Sequence, residues 1–136
     1  MPKRRRGARS APARLTRHRP FDELVSRAIS RVPMPFAEAL NEVAVVIDDD
    51  LTDRQRLNND VAVDEVLYGL YEGVPRTEWG ADSVTIPNMI TLFRLPLEAD
   101  FPDPDDLADE VWITLIHELA HHLGIDDERL HDLGVG

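Results

Sequence analysis

Residues 103–127 read DPDDLADEVWITLIHELAHHLGIDD, and this stretch contains the signals for the start, the apolar face and the end of one helix. Asp103 is a candidate N-cap, Pro104 suits the first helical position, and acids follow at 105 and 106. Apolar residues then recur at helical spacing, as expected of a helix in a protein core. They are Val111, Trp112, Leu115, Ile116, Leu119 and Leu123. The pattern predicts a helix from about Pro104 to Leu123.

This apolar helix is interrupted by His117, Glu118 and His121, which spell H-E-x-x-H. Residues four apart lie on one face of an α-helix, so both imidazoles can bind a single Zn²⁺. Glu118 stands beside the first ligand and can take a proton from a metal-bound water, as in metal-assisted hydrolysis. The alternative is a pair of ordinary surface or core histidines. The apolar surroundings favour the metal, because polar groups in a core need partners.

The residues after the motif supply candidates for a third ligand. Gly124 stands where a helix ends with a residue at positive φ, after which the chain can turn back. Asp127 follows His121 by six residues and offers an oxygen donor that zinc accepts. A Glu ligand from a later helix is excluded, because Glu128 is the sole Glu after His121. Asp126, Glu128 and His131 remain alternatives to Asp127.

These residues resemble a known family. The run 117–127, with its doubled histidine, and the closing run 129–134 look like the minimal zincin-like metallopeptidases. Residues 68–75 (YGLYEGVP) and 90–97 (ITLFRLPL) look like that family's strand segments, so the resemblance covers roughly 35–136. It implies an α+β zincin-like fold, in which a small mixed sheet packs against an N-terminal helix and the motif helix. It also implies zinc on that helix and peptidase activity.

The motif is also similar to the metzincin ligand pattern, with two departures. Asp127 stands where metzincins usually place a third His. Metzincins carry a Met-containing turn below the metal, and no Met follows Met89 in this sequence. The floor of the site must therefore be built from other residues.

Length and composition fit a single globular domain. The chain has 136 residues, of which 43% are hydrophobic, and no cysteine. No run of 18 apolar residues exists that could span a membrane. The basic start is not followed by the apolar segment of a signal peptide, so we expect a cytoplasmic protein.

Charge is distributed unevenly along the chain. Residues 1–20 carry Lys3, seven Arg and no acid, a charge of +8, so the rest carries −19 of the total of −11. We expect 1–20 to be a basic, disordered tail and 21–136 to be the zincin-like domain. The tail could contact nucleic acid, but the acidic body argues against nucleic acid as the main partner.

Hydrophobic periodicity gives a coarse map of the other elements. Helices are predicted at 21–31 and 35–42, strands at 43–47, 67–71 and 89–95, a loop at 51–64, and turns from Gly73 to Pro87. By analogy with zincin-like folds, Met89 to Leu95 is the candidate for the cleft's rim strand, with an ordinary buried strand as the alternative. His122 points away from both His ligands at 100° per residue, so we interpret it as a packing or supporting residue.

These observations predict a zinc-dependent metallopeptidase acting on a peptide or protein substrate. Zn²⁺ is held by His117, His121 and Asp127, and Glu118 is the general base. The alternative function is a metal-binding zincin-like module with little or no hydrolysis, acting in regulation or scaffolding. A third hypothesis is a nucleic-acid-associated regulator that uses its basic tail.

Overall fold

The computed structural model of the protein describes residues 11–73 and 88–134, with side chains described from residue 20 onward in those ranges. Within them it forms helices and a small mixed sheet, which confirms the predicted α+β class. The helices are α1 (Ala11–Ser30), α2 (Phe36–Ala39), α3 (Asp53–Asn58), α4 (Arg94–Asp100), α5 (Pro104–Leu123) and α6 (Asp127–Asp132). The strands are β1 (Ala44–Asp48), β2 (Gly69–Glu72) and β3 (Met89–Phe93).

The three strands lie in the order β1-β3-β2. β1 runs parallel to β3, with Ala44 opposite Met89, whereas β2 is antiparallel to β3, with Gly69 opposite Leu92. The prediction that Met89 to Leu95 forms the rim of a cleft is therefore wrong. β3 is paired on both sides, as befits a strand whose last four residues are buried, and β1 and β2 are the outer strands of the described sheet.

The core lies between the sheet and two helices, α1 and α5. α5 contributes the largest apolar surface, and α1, α2, β2 and β3 all pack against it. Fully or nearly fully buried side chains from these elements meet there. They include Phe21, Val25, Phe36, Ile90, Leu92, Val111, Leu115, Ile116 and Leu119. One face of the motif helix is thus fixed in the core, and its other face is left for polar groups.

One short helix lies where a loop was expected, and another lies after the motif helix, where no element was predicted. α3 replaces part of the predicted loop 51–64, because Thr52 and Gln55 form a capping box. The Gln55 amide donates to Thr52 Oγ1 at 3.1 Å, and the Thr52 amide donates to Gln55 Oε1 at 3.0 Å. α6 begins after Asp126, whose Oδ1 accepts from the Arg129 amide at 2.8 Å.

α1 begins ten residues earlier than predicted. Its backbone is helical from Ala11, so the second half of the expected disordered tail 1–20 is helix, and Pro20 lies inside it. Arg and Ala, which are abundant before Pro20, are good helix formers. Residues 1–10 and 74–87, which include most of the predicted turn-rich segment, lie outside the described residues. None of the described helices is long and apolar enough to cross a membrane.

Candidate metal and catalytic site

The motif helix α5 starts and ends on local signals. Asp103 Oδ2 accepts from the amides of Asp105 and Asp106, both at 3.1 Å, and Pro104 occupies the first turn. At the other end Gly124 adopts the left-handed conformation, with φ 73° and ψ 27°. The Ile125 amide then donates to the Ala120 carbonyl at 2.8 Å and reverses the chain. Both predicted helix ends are confirmed.

The three motif residues lie on the side of α5 that faces away from the core. His117 is half-buried, the Glu118 side chain is 13% exposed, and the His121 side chain is 59% exposed. Glu118 Oε1 lies 3.3 Å from His121 Nδ1, one helical turn further along. The hydrogen bond to Glu118 raises the pKa of His121, burial lowers it, and the charges of Glu118 and Asp127 add to the rise.

The outer strand β2 crosses this face in close contact. A Cβ atom on Gly69 would lie 2.6 Å from Thr114 Cγ2, which is closer than real side chains allow. It would also lie 3.4 Å from Glu118 Cγ. Glycine at this strand position therefore lets the backbone approach the helix at the candidate base. Sequence reasoning missed Gly69, although a glycine inside a strand pattern is a recognised signal of such an approach.

Two further residues on the same face were also missed. Glu110 and Thr114 precede His117 at helical spacing, seven and three residues earlier. Burial raises the pKa of Glu110, while the nearby His117 and a hydrogen bond from Thr114 lower it. The signal was available, because 110, 114, 117 and 121 share one helical face.

The candidates for the third ligand differ in their surroundings. Asp127 is the first residue of α6, and its charge acts on His121. Asp126 uses its Oδ1 to cap α6. Glu128 and His131 are exposed. In residues 20–73 and 88–134, no group of three His, Cys, Asp or Glu side chains is close enough to hold one metal ion.

His122 lies in the core rather than on the face that carries His117 and His121. Its side chain is 0% exposed, and its Nδ1 and Nε2 lie 2.9 Å from Tyr71 Oη and 2.8 Å from Glu42 Oε1. This arrangement agrees with its interpretation as a packing or supporting residue.

The fold and the motif helix together define an α+β protein of zincin type. The family described as zincin-like metallopeptidase matches residues 40–136, which include the sheet, α5 and α6. The chain belongs to this family. No individual curated protein matches it.

Proposed function

We propose that this zincin-like protein is a zinc-dependent peptidase that hydrolyses peptide or protein substrates. His117 and His121 would bind zinc, Asp127 would be the third ligand and Glu118 the general base. The observation that carries the proposal is the position of Glu118. Its carboxylate contacts His121, and its side chain lies under the outer strand β2 at Gly69.

The donor set suits zinc. Two imidazoles one turn apart and a nearby carboxylate are common zinc ligands. Because Glu118 engages His121 Nδ1 at 3.3 Å, Nε2 is the ring nitrogen that His121 can offer to a metal. Zinc held there would polarise the substrate carbonyl and lower the pKa of the attacking water.

The chain's own residues would perform the remaining steps. Glu118 would accept a proton from the attacking water and pass it to the leaving amine. The low exposure of its side chain, 13%, limits its contact with bulk solvent. Among the described residues β2 pairs only with β3, so its second edge can pair with an extended peptide. Gly69 of that strand lies against Glu118.

Glu118→Gln tests the proposal directly. The purified wild-type chain should contain about one zinc per chain, and the variant should keep it while hydrolysis of a peptide library falls by about 10²- to 10⁴-fold. Glu38→Gln is the matched control, because it makes the same change at an exposed position away from the motif helix. Loss of zinc in Glu118→Gln would make Glu118 a ligand or support. Equal hydrolysis by wild type and variant would exclude it as the base.

The second candidate function is a metal-binding module without hydrolysis. In this alternative His117 and His121 would hold the metal, and Glu118 would contact His121 without activating a water. A wild-type chain that binds zinc but cleaves no member of a broad peptide library would establish this alternative.

A further inference from the structure

The core of this protein contains a polar network that the proposed chemistry does not use. His122 is completely buried, yet both of its ring nitrogens lie within 3 Å of an oxygen atom of another residue. Because a carboxylate can only accept, Nε2–H donates to Glu42. Tyr71 Oη also lies 3.0 Å from Asn88 Oδ1. We call Glu42, Tyr71 and His122 the buried network.

The buried network joins three separate parts of the fold. Glu42 lies between α2 and β1, Tyr71 is in the outer strand β2, and His122 is in the last turn of α5. The Tyr71 and His122 rings are 5.6 Å apart between centroids and tilted by 60°. The last turn of α5 is thus connected to the strand beside the candidate site on one side and to the start of β1 on the other.

That last turn also carries the candidate metal ligand His121. Gly124 and the chain reversal toward Asp127 follow within six residues. A small rotation of this turn would therefore move His121 relative to His117. Apolar contacts are non-directional and permit such sliding, whereas hydrogen bonds at both ring nitrogens allow one ring orientation.

We infer that Glu42, Tyr71 and His122 are positioning residues that hold the last turn of α5, and with it His121, at a fixed place relative to β2. The inference rests on the proposed metal site. It extends that proposal, because the geometry of the site would then depend on the hydrogen bonds of His122, which lie on another side of α5. A network that served stability alone would leave the metal geometry unchanged when a hydrogen bond is removed.

The experiment removes one hydroxyl and follows Co²⁺ as the probe. Tyr71→Phe in the full chain keeps the ring but deletes the contact with His122. Visible absorption of bound Co²⁺ reports ligand geometry, and titration gives its affinity. We expect Tyr71→Phe to change the spectrum and to weaken Co²⁺ binding about tenfold, the lower end of the effect of outer-shell partners.

Tyr68→Phe is the matched control. It removes the equivalent hydroxyl from another tyrosine, one residue before β2. The Tyr68 hydroxyl donates to Asp100 Oδ2 at 2.5 Å. That hydrogen bond, together with burial and the charges of Asp100 and Glu110, raises the pKa of Tyr68 to about 12, and it does not involve the last turn of α5. We expect the Co²⁺ spectrum and affinity of Tyr68→Phe to equal those of wild type.

Glu42 provides a second test from the other end of the network. Its side chain is 32% exposed, so substitutions there should not prevent folding. Glu42→Gln keeps an oxygen that accepts from His122 and should retain the wild-type spectrum, whereas Glu42→Ala should behave like Tyr71→Phe.

The outcomes separate the two proposals. If Tyr71→Phe and Glu42→Ala lower the melting temperature but leave the Co²⁺ spectrum and affinity unchanged, the network is structural and the inference is wrong. If wild type itself binds no Co²⁺, the proposed metal site fails and the inference falls with it.

Discussion

His121 and His122 are neighbours in the sequence, but their surroundings on α5 differ sharply. The side chain of His121 is 59% exposed and contacts Glu118 on the polar face. The side chain of His122 is 0% exposed and has an oxygen atom within 3 Å of each ring nitrogen. One imidazole is accessible to a ligand from solvent, and the other is enclosed by the protein. Chain position on the helix, not residue type, therefore separates a candidate ligand from a structural residue.

The largest expected effects come from removing each of these histidines in turn. His121→Ala should weaken zinc binding on the order of a thousandfold, because a ligand is lost. With chelator present, its free energy of unfolding should stay within about 0.5 kcal/mol of wild type. His122→Ala should lower that free energy by about 3 kcal/mol, because it leaves a cavity and removes the buried hydrogen bonds.

Zinc titration and denaturant unfolding on both variants check this contrast. Glu38→Ala is the control substitution, since Glu38 is exposed and belongs neither to the polar face around His121 nor to the surroundings of His122. A large loss of stability in His121→Ala, or unchanged stability in His122→Ala, would contradict the division between the two faces.

The sequence predicted the motif helix well because its signals are local. The cap at Asp103, Pro104 and the left-handed Gly124 each act within a few residues, and the structure places the helix at Pro104–Leu123 as expected. The signal for α3 is equally local, since Thr52 and Gln55 lie three residues apart, but the sequence analysis misses this capping box. The contact between Glu118 and His121 follows from their spacing on one helix.

Other features depend on contacts between distant segments. Strand order cannot be read from one strand, so the apolar run of β3 left a rim strand and an ordinary buried strand as alternatives, and the structure shows that it is central. Gly69 meets Thr114 across 45 positions of sequence, and only the folded chain brings them together. Glu42 and His122 are likewise 80 residues apart. The polar face of the helix was predictable, whereas the strand over it and the network behind it were not.

Smaller effects are expected from substituting the two aspartates after Gly124. They offer a second comparison, between a candidate ligand and a residue that stabilises a helix. Asp127→Ala should weaken zinc binding about 10- to 100-fold, because a three-ligand site would become a two-ligand site. Asp126→Ala should leave zinc affinity nearly unchanged but lower the free energy of unfolding by about 1 kcal/mol, because Asp126 caps α6 through the Arg129 amide.

Zinc competition titrations and thermal unfolding of the two variants measure both quantities. His131→Ala completes the set as an exposed alternative donor. If Asp126→Ala or His131→Ala costs more zinc affinity than Asp127→Ala, the assignment of the third ligand is wrong.

A third comparison concerns the contact between the polar face of α5 and β2. Gly69→Ala places a methyl group 2.6 Å from Thr114 Cγ2, so the strand or the helix must shift, at a cost of about 1–3 kcal/mol in unfolding free energy. Thr114→Ser removes that Cγ2 atom and should restore most of the loss in the double variant. Denaturant unfolding of wild type, both single variants and the double variant gives the coupling energy. Strictly additive losses would show that β2 does not press on the helix at Thr114, and the close approach to Glu118 would then lack its support.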